Sequence, residues 1–290
     1  MMATLDDLFS VRRVLVALDS ATPGTVLVEA AVDFAKYIEA ELEGLFVEDI
    51  DLMRLAELPF AQALSLPAGL PQPLDLAVLE GELRALAAGA QHALETRARE
   101  MNVRCSFRVV RGRLEAEVRA AAGAADLVIL ERGGGFVTRH VRLSSSAARA
   151  AISAAHPVLL LRGPGAAIES IVAVYDGTAG SGGALAAAAR LGSRLRGTET
   201  AAQARIAVLC LGKTAALAQC AEKKARQELE REGIAATFRA QVEPEAEQLA
   251  AALRCPANAL LILPAGLPFL ESEAGERLLA ESEGPVLLVS

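Results

Sequence analysis

The sequence predicts an α/β protein made of two doubly wound parallel sheets, and three observations carry that reading. The chain repeats itself. Val11 to Asp19 reads VRRVLVALD and Glu169 to Asp176 reads ESIVAVYD, each an apolar run that ends on Asp before small, turn-forming residues open an Ala-rich helix. The two copies also close alike, with DLVILERGG and HPVLLLR ending the first and ALLILPAG and GPVLLVS ending the second. A repeat of this length means two homologous domains rather than one large one. Finally, the strand candidates are unbroken apolar runs rather than clean alternations, the pattern of a parallel sheet covered by helices on both faces.

Taken in order, Val14 to Leu18 reads as a buried strand, Thr25 to Ala40 as a helix, Glu43 to Val47 as a second strand and Asp75 to Met101 as a long amphipathic helix. Arg104 to Val110 is the third strand, Leu114 to Gly123 a helix, Asp126 to Leu130 the fourth strand, Ser145 to Ala155 a helix and Pro157 to Leu161 the closing strand. Arg162 to Ala167, RGPGAA, is a Gly/Pro linker. The pattern restarts at Ile168, with strands near Ile171 to Val174, Arg205 to Leu211, Ala235 to Gln241, Ala259 to Leu263 and Val286 to Val289. The expected domains are 1–163 and 168–290. The first carries an insertion at 49–74, which includes Pro59, Pro67, Pro71 and Pro73 and has no counterpart in the second. It is too long for an ordinary strand-to-helix connection. It reads either as a short helix plus a loop packed on its own domain or as a lid or partner-binding arm at the carboxyl ends of the strands. Leu52, Met53, Leu55, Leu58, Phe60 and Leu64 are too many apolar residues to stay solvated.

Composition narrows the function. The 290 residues are 53% hydrophobic, enough for two cores. The mean hydropathy of +0.35 comes largely from alanine, and no stretch approaches the roughly 18 apolar residues of a membrane span. Met1 to Ser10 carries Asp6 and Asp7 without the basic start and apolar core of a signal peptide, so the expected compartment is the cytoplasm. Cys105, Cys210, Cys220 and Cys255 lie far apart with no C-x-x-C, and are expected as buried, unpaired thiols rather than a disulfide or metal framework. A net charge of −7 and the absence of Trp argue against a nucleic-acid surface. Leu211 to Thr214 reads LGKT, but Ala207 stands where a P-loop needs its first glycine. His92, His140 and His156 are scattered without a Ser or Cys placed as a triad, so no catalytic constellation emerges.

The strand VLVALD with its TPG turn, LEGLFVED, the DLVIL strand, a glycine-containing loop, a serine-led helix and the PVLLL strand together resemble the universal stress protein family, in tandem form. The resemblance covers nearly the whole chain. It implies an adenine nucleotide alpha hydrolase-like sheet of five parallel strands in the order 3-2-1-4-5 in each half, and a role in stress response. Because family dimers often pair their fifth strands, it further implies that Pro157 to Leu161 and Pro285 to Ser290 pair antiparallel within one chain, an intrachain pseudo-dimer that covers two sheet edges.

Some members of the family bind ATP through the end of the first strand, the second strand and a motif G-x2-G-x9-G-[S/T] after the fourth. Early glycines let backbone approach phosphates, and the last pair opens a helix whose free N–H groups attract an anion. Laid on the first half, the motif slots fall on Glu131, Gly134, Ser144 and Ser145, so two of the four match. Gly133 to Gly135 keep a permissive loop, and Arg132, Arg139, His140 and Arg142 surround it. The implied site, for ATP in the first domain only, comprises Ala17, Asp19, Val47, Gly112, Gly133, Gly134, Ser144, Ser145 and Ser146. Each residue also has a structural reading. Asp19 could be a helix cap, Phe46 and Val47 simple core, and Ser144 to Ser146 an ordinary N-cap. In the second half, Asp176 is expected as a cap, and Glu271, Glu273 and Glu276 stand where phosphate would sit, so that copy is expected to hold no ligand.

The leading expectation is a non-catalytic stress-response module, regulatory or scaffolding, with at most one weak adenine-nucleotide site and an unidentified protein partner, and with no nucleic acid and no membrane involved. Its oligomeric state is expected to be a monomeric pseudo-dimer or a homodimer. The alternative is a genuine ATP-binding stress protein that hydrolyses slowly. An enzyme of the wider nucleotide-handling α/β group is the third reading, for which no phosphoryl- or adenylyl-transfer motif is present.

Overall fold

The computed structural model describes residues 9–18, 24–58, 62–64, 71–73, 75–132, 156–163, 167–195 and 206–290. In the first half, β1 (Arg13–Leu18) leads to α1 (Thr25–Ile38), β2 (Glu41–Asp49), α2 (Ile50–Ala56) and the short strands β3 (Gln62–Leu64) and β4 (Pro71–Pro73). The long α3 (Leu76–Met101), β5 (Cys105–Gly112), α4 (Leu114–Ala122), β6 (Leu127–Glu131) and β7 (Val158–Leu161) follow. The second half runs β8 (Ser170–Tyr175), α5 (Ala179–Leu195), β9 (Ile206–Gly212), α6 (Ala215–Arg231), β10 (Thr237–Val242), α7 (Ala246–Ala252) and β11 (Ala259–Pro264). A 3-10 turn at Pro268–Glu271, α8 (Glu273–Glu281) and β12 (Val286–Val289) end it. The expected helix Ser145 to Ala155 lies outside the described residues.

Ten strands form one sheet in the order β10-β9-β8-β11-β12-β7-β6-β1-β2-β5. Each half therefore has the order 3-2-1-4-5. Every pairing is parallel except the central one, where β12 runs antiparallel to β7. Fusing the two fifth strands hides two edges that would otherwise present unpaired backbone groups, and the expected pseudo-dimer is what the chain forms.

Alternation along the strands divides the core by face. Val14, Val16 and Leu18 of β1 point to one face, with Leu159 and Leu161 of β7 and Leu287 and Val289 of β12, under α1, α3, α5 and α6. Leu15 and Ala17 point to the other, with Val158, Leu160, Val286 and Leu288, under α4, α7 and α8. Both cores run across the seam between halves. Polar contacts follow them: the Tyr37 hydroxyl on α1 donates to the Leu191 carbonyl on α5 at 2.6 Å, and Arg194 reaches the Tyr37 carbonyl at 3.0 Å and Glu39 at 3.1 Å.

The strands at the two ends of the sheet depart from the expected apolar runs. β5 and β10 are mostly exposed, since each has a neighbour on one side only. β5 is guarded by charge, with Arg104 paired to Glu41, Arg108 to Glu43 and Arg111 to Glu48 across the β2–β5 strand pair. Within 49–74, α2 is capped by Asp49, whose carboxylate accepts from the Asp51 amide at 2.8 Å. Met53 and Ala56 are buried against Leu79 and Leu83 of α3. β3 and β4 pair as an antiparallel ribbon. Leu55 and Leu58 stay exposed, so the segment's apolar residues are covered only in part.

Candidate functional site

In an open α/β sheet ligands bind beyond the carboxyl ends of the strands, at the point where strand order reverses. That point lies between β1 and β6 in the first half and between β8 and β11 in the second. Three of the first-half candidates fall on this rim. Ala17 is one residue from the end of β1 and pairs with Leu45, Val47 pairs with Val110, and Gly112 ends β5 opposite Asp49. Asp19, Gly133, Gly134, Ser144, Ser145 and Ser146 lie outside the described residues.

Ala17 and Val47 are both buried in the core beneath α4, packed with Leu15, Leu45, Val118 and Ala122. Phe46 is buried on the opposite face. Their side chains therefore form the floor under the rim. A Cβ at Gly112 would run into the Glu117 side chain of α4, which would have to move aside. Glu115 and Glu117 occupy the first turn of α4, where acids stabilise a helix by offsetting its dipole.

Charge on this rim is organised by a network of paired acids and arginines that no sequence motif marks. Glu48 is buried and its carboxylate accepts from Arg111 Nε at 3.1 Å, while Arg111 Nη2 reaches Glu80 at 3.2 Å. Arg113 Nε donates to Asp51 at 2.9 Å. Donating to Glu48 and to Asp51 holds the Arg111 and Arg113 guanidiniums above their usual pKa. The signal available was acids ending one strand and arginines ending its neighbour, which face each other only once β2 and β5 are paired.

The second half has a different rim. Asp176, just past β8, accepts from the Thr178 amide at 2.9 Å and its hydroxyl at 2.6 Å. Burial alone would raise this carboxyl's pKa, but hydrogen bonds involving Thr178 and Ser181 hold it below the usual value. Asp176 thus shapes the turn before α5, while the capping bond expected of it is made by Thr178, whose hydroxyl oxygen accepts from the Ser181 amide at 3.3 Å. After β11 the chain turns tightly, with Leu267, Phe269 and Leu270 buried in the core. Ser272 caps α8 by accepting from the Gly275 amide at 3.1 Å, and its hydroxyl donates to the Phe269 carbonyl at 2.6 Å. A Cβ at Gly275 would collide with the Phe269 carbonyl. Glu273 and Glu276 stand in the first turn of α8. Backbone, apolar side chains and acids thus line the start of α8.

Arg132 lies next to the glycine-rich stretch in sequence, and its side chain crosses the seam, where Nη2 donates to the carbonyls of Ser282 and of Gly284, the latter at 3.0 Å. Burial, reinforced by the nearby Arg162 charge, pushes its pKa down to about 10. The cysteine expectation is corrected. All four thiols are free, but Cys105 and Cys220 are exposed, Cys255 is intermediate and only Cys210 is buried. Their helical or strand context did not fix which side faced the core. The LGKT run is a strand-to-helix turn: Gly212 admits the close approach of the α6 backbone, and Thr214 caps α6 by accepting from the Leu217 amide at 3.3 Å. Among the described residues, an open cavity of about 960 Å³ lies at the opposite, amino-terminal rim, between Arg12, Arg13, Lys36, Glu41, Arg104 and Asp126.

A ten-stranded sheet of two 3-2-1-4-5 halves joined through antiparallel fifth strands is the universal stress protein fold in tandem form. A universal stress protein from Archaeoglobus fulgidus superposes with a TM-score of 0.67 at 12% identity, covering 97% of this chain and 99% of that one. A functionally unknown protein from Pseudomonas aeruginosa superposes with a TM-score of 0.57 at 15% identity, covering 98% and 94%. At such identities the likeness is one of fold. No protein-family model and no curated protein matches the sequence.

Proposed function

We propose that the chain is a tandem universal stress protein, a non-catalytic module that regulates or scaffolds a stress response in the cytoplasm through a protein partner. In this reading the units are 1–163 and 168–290, and at most one weak adenine-nucleotide site exists, in the first unit. The observation that carries it is the closed, acidic start of α8 in the second half. Beyond β11 the backbone of Phe269 lies against Gly275 and acids lead α8, whereas Ala17, Val47 and Gly112 give the first half a floor of small and apolar groups beside a glycine-rich sequence. Acids at a helix start oppose a phosphate by on the order of 1 kcal/mol each in a partly solvated site. The proposed site draws on Ala17, Asp19, Val47, Gly112, Gly133, Gly134, Ser144, Ser145 and Ser146. Its affinity is modest, because Glu131 and Ser144 replace two motif glycines. Among the described residues no helix is long and apolar enough to cross a membrane.

Calorimetric titration with ATP and magnesium, on wild type and on Gly134→Asp, tests this reading. One weak site per chain, lost in the variant, is expected. A stoichiometry of two would defeat the asymmetry, absence of binding would leave only the scaffold, and steady phosphate release would favour the ATP-hydrolysing alternative.

A further inference from the structure

Arg132 and Ala265 hold the same position in the two halves. Each follows the fourth strand of its half and donates its amide to the last residue of the fifth, Arg132 to Leu161 and Ala265 to Val289, both at 2.7 Å. By the same correspondence Arg162, after β7, matches Ser290, after β12. Both arginines belong to the first half and both reach into the second. Arg162 Nη1 donates to the Ala280 carbonyl at 3.0 Å, while Arg132 takes the carbonyls of Ser282 and Gly284. These are the last carbonyls of α8 and of the turn behind it, where cations complement the helix dipole. Alanine and serine offer no guanidinium for the reverse reach, so the sequence makes this contact one-sided.

The Arg132 side chain is committed but not saturated. The residue is 5% exposed, and its Nε and Nη1 are buried without a hydrogen-bond partner among the described residues. A buried cation using one of its three nitrogens is held less firmly than one fully paired, so small changes at the end of β6 can alter its grip. β6 lies next to β1, at the strand reversal of the first half.

We propose that Arg132, assisted by Arg162, is a latch through which the carboxyl end of β6 in the first half sets the stability of α8 in the second. The first half thereby reports its state to a helix more than one hundred residues away in sequence, and the second half has no equivalent means of reporting back through its own fourth strand. The linkage is reciprocal in free energy, so whatever tightens one end tightens the other. A ligand bound at the first rim changes α8; this part rests on the nucleotide reading above.

Hydrogen–deuterium exchange on the full chain tests the latch, with wild type, Arg132→Met, Arg132→Lys and Arg162→Met compared without ligand and with saturating ATP and magnesium. Without ligand, Arg132→Met is expected to speed exchange across 273–284 by roughly tenfold, with smaller effects from the other two variants and none in α7. With ATP, exchange in 273–284 shifts in wild type but not in Arg132→Met, even though calorimetry still detects binding to that variant. A purely structural arginine would not give that ligand dependence. Unchanged exchange in all three ligand-free variants overturns the latch. ATP binding to wild type with no response in α8 overturns its reporting role while the nucleotide site stands. If wild type binds no ATP, the nucleotide reading fails and the ligand-free comparison alone decides the latch. Should Arg132→Met not fold, the exposed Arg162→Met and the charge-keeping Arg132→Lys carry the same comparison.

Discussion

Leu159 and Leu287 face each other across the antiparallel seam, and the neighbouring pairs, Leu160 with Val286 and Val158 with Leu288, are placed symmetrically about them. The local two-fold of the molecule therefore passes between these two leucines, both fully buried. Their side chains point to the face covered by α1 and α5, the same face on which Tyr37 and Arg194 bridge the halves. Backbone pairing and apolar packing on both faces make the seam part of one core rather than a docking surface between finished domains.

Leu287→Asp should accordingly destabilise the whole chain and not just one half. A carboxylate placed opposite Leu159 has no partner, and the cost of burying it is expected to exceed about 4 kcal/mol. Denaturation followed by circular dichroism would show one transition at lower denaturant, together with aggregation as two sheet edges open. Two separate transitions, one with the wild-type midpoint, would show that the halves fold independently.

Glycine substitutions should separate a flexible obstacle from a rigid one. At Gly112 the obstacle to a Cβ is the end of a flexible glutamate, so Gly112→Ala is expected to cost about 1 kcal/mol or less, and pairing it with Glu117→Ala should restore stability. At Gly275 the obstacle is the Phe269 backbone carbonyl, which cannot step aside, and Gly275→Ala is expected to cost about 3 kcal/mol. Chemical denaturation midpoints decide the matter. Equal costs at the two positions would mean that the Phe269 backbone yields as readily as the Glu117 side chain.

Much of this architecture was legible in the sequence because it rests on runs and repeats. VLVALD, DLVIL and PVLLL could be placed as buried strands from hydrophobicity alone, and Asp176 as a local residue of the turn after its strand from type and position. The candidate rim was legible only as a set of strand ends. Two of its determinants were not legible at all. Arg132 sits among glycines and other cations in the sequence, yet its partners are Ser282 and Gly284, which no local pattern can pair with it. Likewise Glu48 and Arg111 meet only because β2 and β5 are neighbours. Long-range polar contacts depend on register between distant segments, and register leaves no periodicity to read.

Thiol reactivity follows from exposure. Cys105 and Cys220 should react with an aromatic disulfide reagent within minutes in the native state, Cys255 more slowly, and Cys210 only on unfolding. Burial pushes the Cys210 thiol up to about 12, which suppresses the reactive thiolate as well as access to it. Counting thiols released before and after denaturant, with Cys210→Ala as the reference, checks this. Fewer than two fast thiols would contradict the exposed placement of Cys105 and Cys220.

Stability should fall steeply at alkaline pH. The Tyr37 hydroxyl is pushed up to about 12 by burial, against a smaller opposing pull from Arg194, and Tyr175 is pushed up to about 12 by burial and then by Glu228 and Asp176. Cys210 moves in the same direction. Each group keeps its proton longer in the fold than in the unfolded chain, so its contribution is complete below the unfolded pKa and is lost as pH rises toward 12. For a tyrosine, the difference between about 10 and about 12 corresponds to roughly 2–3 kcal/mol. Arg132 has the opposite sign. Its pKa is pushed down to about 10, so the cost of burying its charge is present below that pH and eases above it. One group relieved against three penalised leaves a net loss between pH 9 and pH 12. Tyr37→Phe should lower stability at pH 8 by about 1 kcal/mol through the lost hydrogen bond to Leu191, yet flatten the alkaline decline. Urea midpoints at pH 8, 9.5 and 11 for wild type and Tyr37→Phe measure both effects. Parallel curves would mean that the Tyr37 hydroxyl titrates in the fold much as it does in the unfolded chain.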